Sequence, residues 1–375
     1  MNILLVIPGL SKTHNDIYSV YKKIEEQGHS VLVITQRISE SKSGQKSFPK
    51  YENDNGIEIY RVFKSSSERT FRFWAKLNEI NEIATVFKPD VVVCSQQSNM
   101  PLSLEIMRHF HIPLVLIVEF AYSKNNPSIL TGTRNFRRIE RIDNLYWNWL
   151  CRHSSAIITC NIGDQARSID FTRYDTPVYC IPWPTGQSEI ESTNEKKCEG
   201  RGIYVGAFTS NKNLEEFKIT IPNIIENTPT TEFYIIGNGR YGKTVEDLKK
   251  VYPHQIKHID FLPMNEVISL ISSSYYSYVP SIWGSWGFIL DSWRMKTPII
   301  ATHNHYNFND EIDTKLTNPL NIADAINKLY MDRPLYEKIR INAYKRVMEN
   351  HNPKIIASEY ITVLENALKS KKSYS

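Results

Sequence analysis

Tyr278-Val-Pro-Ser-Ile-Trp-Gly-Ser-Trp-Gly-Phe-Ile-Leu-Asp-Ser-Trp-Arg-Met-Lys-Thr-Pro-Ile-Ile-Ala301 reads as a strand, a glycine-spaced loop, an amphipathic helix, and a second strand introduced by Pro298. Gly284 and Gly287 flank the predicted helix start. The backbone amides of Ser285, Trp286, Gly287, Phe288 and Ile289 are therefore expected to face an anion, because the first turn of a helix leaves its N–H groups unpaired. Asp291, further inside the helix, can accept two hydrogen bonds from the vicinal hydroxyls of a ribose. Its alternative is an acid stabilised by the helix dipole. Trp283 and Trp286 suit core packing or a ligand face, and Trp293 reads as core.

Two segments upstream put similar loops at strand ends. In Tyr204-Val-Gly-Ala-Phe-Thr-Ser-Asn-Lys-Asn-Leu214, Gly206 follows a strand and Lys212 sits where the loop turns into a helix. An ammonium beside free helix amides suits a diphosphate, and the alternative is a solvated lysine. In Ile235-Ile-Gly-Asn-Gly-Arg240, Gly237, Asn238 and Gly239 form either a tight turn or a place where backbone approaches a ligand. Arg240 adds a charge. Phe261 and Leu262 close another strand of the same region.

The whole chain repeats this alternation of strand and helix. Strands are expected at Asn2–Ile7, Ser30–Thr35, Ile57–Val62, Val91–Cys94, Leu114–Val118 and Ala156–Thr159, with helices at Asn15–Gln27, Phe73–Val86, Pro101–Phe110 and Arg137–His153. Ser41–Asn55 reads as an irregular polar loop. A second series runs from Gly202 to Ala301, and Asn321–Ser370 is helical. Such alternation means doubly wound parallel sheets. The expected division is 1–182, a linker at 183–200, 201–350, and a closing helix at 351–375. Ligands are then expected at the carboxyl ends of the strands and in a cleft between the domains.

Composition is that of an ordinary globular protein: 375 residues, 41% hydrophobic, 23% charged, net charge +5. Such a small excess does not point to nucleic acid. Five cysteines, an odd number without CxxC spacing, argue against a disulfide framework and a zinc site and suit a reducing cytoplasm. No apolar run reaches the ~20 residues of a spanning helix.

The three segments, in this order and spacing, resemble the second domain of retaining glycosyltransferases of the GT-B fold, glycosyltransferase family 4. That pattern runs G-R-x(4)-K-G, then G-x-G, then P-S-x(2)-E-x-F-G-x(4)-E-A-x(3)-G-x-P-V-I-A. Gly206, Lys212, Gly237, Gly239, Pro280, Ser281, Gly287, Asp291, Pro298, Ile300 and Ala301 match it. Gly28-His29-Ser30-Val31, Lys88-Pro89-Asp90 and the closing helices fit as well, so the resemblance covers nearly the whole chain. It implies two Rossmann-like domains, the first for an acceptor and the second for a nucleoside diphosphate sugar of UDP or GDP type, with the last helix returning to the first domain.

It also implies a hexosyltransferase that acts on a glycan or lipid-linked saccharide without a metal or other cofactor. The implied catalytic set is Lys212, Glu119 and Asp291. The donor would be held by Gly206, Lys212, Gly237–Arg240, Phe261, Leu262 and Trp283–Ile289 with Asp291. His14 and Asn15 would touch the acceptor, or Asn15 would cap the first helix. The chain departs from the pattern at its chemistry. Ala207 replaces the arginine, Gly284 or Trp283 stands at the first glutamate, and Asp291 replaces the second. Glu119 stands for a strand-end histidine, and Pro8–Asn15 lacks paired glycines. The diphosphate would then rely on Lys212 and helix amides, with Arg240 compensating for Ala207. Losing one such donor costs ~3 kcal/mol, roughly a hundredfold in rate. The same departures suit a non-catalytic relative acting as a partner subunit or glycan-binding module. The Arg137–His153 helix, with Arg138, Arg141, Trp147 and Trp149, suits either peripheral contact with the inner membrane face or ordinary packing.

Overall fold

The computed structural model describes residues 1–7, 10, 16–41, 44–65, 68–69, 72–95, 99–118, 145, 148–159, 175–186, 196–282, 284–304 and 307–370. The chain forms two compact units, one of Met1–Gly186 with Pro353–Ser375 and one of Gln187–Asn352.

Side chains along a strand alternate between faces, and the first unit buries both. In β1 (Asn2–Val6), Ile3 and Leu5 join one core while Leu4 and Val6 join the other. The apolar run is continuous because a parallel sheet is covered on both sides. The first unit continues with α1 (Asp16–Glu25), β2 (Ser30–Gln36), β3 (Ile38–Ser41), β4 (Gly44–Ser47), β5 (Tyr51–Asp54) and β6 (Ile57–Phe63). Then come α2 (Leu77–Phe87), β7 (Val91–Ser95), α3 (Met100–Phe110), β8 (Leu114–Val118), β9 (Ala156–Thr159) and β10 (Val178–Cys180). The sheet order is β10-β9-β8-β7-β1-β2-β6-β5, parallel except for β5.

Residues 41–55 are not the irregular loop expected. β3 and β4 pair as a hairpin, and β5 pairs antiparallel with β6. Asn55 and Gly56, with φ of 51° and 94°, make the turn. Asn-Gly adopts such left-handed pairs readily and is a strong hairpin signal. The polar composition hid it, because an edge strand needs little apolar surface.

The second unit holds β11 (Cys198–Val205), α4 (Phe217–Asn227), β12 (Glu232–Ile236), α5 (Gly242–Val251), β13 (Ile256–Ile259), α6 (Met264–Ser273) and β14 (Ser274–Val279). It continues with α7 (Trp286–Arg294), β15 (Ile299–Ala301), β16 (Lys315–Leu316), α8 (Ile322–Met331) and α9 (Arg333–Asn350). Its sheet order is β13-β12-β11-β14-β15-β16, parallel at every pairing. β11 starts at Cys198, inside the stretch read as linker, because Cys198 pairs with Ser274 ahead of a register shift. The last helix, α10 (Pro353–Lys369), belongs to the first unit. There Ile356, Ala357, Tyr360, Val363 and Leu364 join the core of β1 and α1, and the Tyr360 ring meets Tyr21 edge-on at 6.4 Å.

Candidate functional site

Strand order in the second unit reverses between β11 and β14. The loops leaving these two neighbours therefore flank the switch point, where open α/β sheets place their ligands. The two loops are stitched together. The Asn211 carbonyl accepts the Ile282 N–H at 3.0 Å. Lys212 donates through Nζ to the Gly284 carbonyl and to Ser285 Oγ at 2.9 Å, and Ser285 in turn donates to Ser281 Oγ at 2.6 Å.

Lys212 is 8% exposed. Burial pushes its ammonium down to about 7, because a charge is less stable away from water. Lys212 was expected at the start of its own helix. Instead it ends a short 3-10 turn, Ser210–Lys212, and α4 begins only at Phe217. Asn213, at φ 54°, interrupts the helical path.

The terminus that Lys212 reaches is that of α7. Among the described residues, no side chain caps α7. Ile289 N–H bonds the Ser285 carbonyl at 3.0 Å, so the amides ahead of it, Trp286 to Phe288, precede the first intrahelical bond. A partial positive helix end and a buried ammonium thus converge at one point, an arrangement whose electrostatics suit an anion. Gly284 makes the convergence possible. Its φ is +74°, and a Cβ there would lie 3.0 Å from Asn211 Nδ2 and 3.6 Å from Lys212 Nζ.

The other glycines serve a different contact. A Cβ on Gly237 would lie 2.0 Å from the Gly206 carbonyl oxygen, and Phe208 N–H bonds the Asn238 carbonyl at 2.8 Å. Gly237 and Gly239 let their loop lie against the Gly206–Phe208 backbone, and Gly206 leaves room for the Tyr204 ring.

Phe261, just past β13, is 58% exposed, and Leu262 is half-buried. Arg240 is exposed, with its guanidinium 4.9 Å from the Tyr241 ring centroid. Phe288 and Ile289 are core side chains; the Phe288 N–H precedes the first intrahelical bond, whereas that of Ile289 is taken up by the Ser285 carbonyl. Trp286 packs on His351 at 5.3 Å, and Trp293 is fully buried. Asp291 pairs with Arg294 at 3.1 Å. His14, Asn15, Glu119, Trp283 and most of the Arg137–His153 helix lie outside the described residues.

Sequence reading missed Glu216. This carboxylate is buried and accepts hydrogen bonds from Tyr278 at 2.6 Å, Asn213 at 2.7 Å and Thr302. Leu214 and Phe217 on either side of it are core, but its partners Tyr278 and Thr302 are distant in sequence, so no local signal marked it. Among the described residues, no group of three or more His, Cys, Asp or Glu is placed to hold a metal ion, and no helix is long and apolar enough to cross a membrane.

Two doubly wound domains, with the last helix returned to the first, define the GT-B fold. The family model "Glycosyltransferase Family 4" matches residues 15–183, and "Glycosyl transferases group 1" matches residues 187–346. The chain belongs to the GT-B glycosyltransferases. It is 22% identical to an uncharacterised glycosyltransferase of Methanocaldococcus jannaschii, over 91% of this chain and 90% of that one. Among solved structures it is similar to a sucrose-phosphate synthase from Thermosynechococcus elongatus, with TM-score 0.74, 14% identity, and coverage of 97% and 98%. It is also similar to HepE of Anabaena in complex with UDP and glucose, with TM-score 0.68, 12% identity, and coverage of 97% and 99%.

Proposed function

We propose that the protein transfers a hexose from a nucleoside diphosphate sugar, of UDP type, to a saccharide hydroxyl with retention of configuration and without a metal. One observation carries the reading: the buried Lys212 ammonium is held against the start of α7. A diphosphate bound there would receive a full charge from Lys212 and hydrogen bonds from the first amides of α7. Phe261, exposed at a strand end, offers a flat apolar surface to the base. The UDP complex of the similar HepE structure favours uridine, and the resemblance to family 4 favours retention.

In the step itself, the bond between sugar C1 and the diphosphate oxygen breaks, and its electron pair leaves on the diphosphate. The acceptor hydroxyl oxygen bonds C1 on the same face, and its proton passes to the departing diphosphate oxygen. Negative charge grows on the diphosphate as the bond breaks, so Lys212 and the α7 amides stabilise the transition state more than the ground state. Asp291 would meet the ribose from inside α7.

The test is calorimetric titration with UDP and GDP, followed by product analysis with a panel of UDP- and GDP-sugars, with and without EDTA. UDP binding that Lys212→Met weakens at least tenfold is the expected result. A wild-type protein that binds neither nucleotide would overturn the reading. Loss of turnover in EDTA would overturn the metal-free step, and an inverted anomeric carbon by NMR would overturn retention.

A further inference from the structure

Glu216 is buried to 6% exposure of its side chain, yet it draws donors from three separate pieces of chain. Its Oε1 accepts from the Tyr278 hydroxyl of β14 at 2.6 Å and from Thr302 Oγ1, just past β15. Its Oε2 accepts from Asn213 Nδ2 at 2.7 Å and lies 3.0 Å from His303 Nε2. Asn213 Nδ2 and His303 Nε2 are 3.2 Å apart. A carboxylate is kept out of water only when its lone pairs are filled in this way.

Asn213 directly follows Lys212. Where the family pattern has glycine after the lysine, this chain has an asparagine, whose amide reaches the carboxylate. The backbone bonds inside the turn are local: Lys212 N–H to Thr209, Asn213 N–H to Ser210, and Glu216 N–H to Asn213. They shape the turn but do not place it on the sheet. Across to β14, β15 and the loops that follow them, the described residues offer the Asn211–Ile282 backbone bond, the contacts of Lys212 itself, and the side-chain bonds of Glu216 and Asn213.

We infer that Glu216 and Asn213 are positioning residues of the donor site, fastening the Lys212 turn to the ends of β14 and β15 so that the ammonium stays on the α7 terminus. The inference rests on the reading of Lys212 as the diphosphate ligand. Its geometry has a ligand-free signature, however, because burial is the cause of the low Lys212 titration. A lysine released from its place gains water and titrates higher.

The experiment follows Lys212 by NMR through a pH titration of 13C-lysine-labelled protein, assigned with Lys212→Met. It then measures UDP affinity by calorimetry, in each variant alone and combined with Lys212→Met. Asn213→Gly removes the amide without strain, since φ 54° suits glycine. Glu216→Ala removes the anchor, and Glu216→Gln keeps an acceptor for Tyr278 and Thr302. Asn213→Gly and Glu216→Ala are expected to move the Lys212 titration up from about 7 towards that of an ordinary lysine. Both should weaken UDP about tenfold, a loss of the size seen between coupled neighbours, and neither should add to the loss in Lys212→Met. Glu216→Gln, which keeps the acceptor for Tyr278 and Thr302 but presents a donor to Asn213, is expected to fall between wild type and Glu216→Ala in both readouts.

An unmoved Lys212 titration in folded Asn213→Gly would overturn the inference. So would equal UDP losses with and without Lys212. Should Glu216→Ala not fold, Asn213→Gly carries the test. A wild type that binds no UDP would fail the donor-site reading, while the lysine titration would still decide the positioning role.

Discussion

Raising the pH from 7 to 9 should strip UDP from this protein through one side chain. In the free protein Lys212 titrates at about 7 because it is buried. Beside a bound diphosphate it is held protonated, so binding above pH 7 takes up a proton. Affinity is then full below pH 7 and falls tenfold per unit above it. Linkage gives a loss of about 50-fold, or about 2.3 kcal/mol, between pH 7 and 9. The terminal phosphate of UDP gives up its last proton near pH 6, so this window isolates the lysine. Calorimetry at pH 7, 8 and 9, in two buffers of different ionisation enthalpy, should show the slope and an uptake of about one proton at pH 8. Lys212→Met should bind weakly and without slope. A flat affinity from pH 7 to 9, or a slope that survives Lys212→Met, would refute the reasoning.

The same lysine opposes folding. Its pKa in the folded protein is about 7 against an ordinary 10.5, so the penalty is complete below pH 7 and fades as pH rises towards 10.5. It amounts to about 4 kcal/mol at pH 7, so Lys212→Met should melt higher than wild type at pH 7, with the gap shrinking by pH 10 in calorimetric scans. Gly237→Ala should destabilise more than Gly284→Ala, because its Cβ would meet a backbone oxygen at 2.0 Å instead of a side-chain end at 3.0 Å. Thermal melts should show roughly 2 kcal/mol or more against about 1 kcal/mol. Trp286→Ala removes a ring packed on His351, so it should lower the melting temperature while UDP affinity stays within about twofold, since its backbone N–H remains.

Much of the fold was legible in the sequence, because its signals are local. Runs such as Val91–Cys94 and Leu114–Val118 are short and rich in β-branched residues, which favours strands buried on both faces, and both are such strands. Gly28, at φ 87°, ends the first helical segment where the pattern stops. Asn55-Gly56 was equally local but lay in polar surroundings that masked it. The glycine spacing in Pro280–Ala301 marked a loop ahead of a helix, and that helix is α7.

What the sequence by itself determined was thus the two alternating series, the family, and the segments that form the candidate site. Tertiary structure alone decided how those segments meet. Lys212 and Gly284 are 72 positions apart and become neighbours because β11 and β14 lie side by side in the sheet. Only that adjacency buries the ammonium and lowers its pKa, and only it turns Lys212 from the start of its own helix to the start of α7. It also gave Gly237 a neighbouring loop to accommodate and filled the lone pairs of Glu216. These properties depend on desolvation and on partners distant in sequence, which no local pattern of residues encodes.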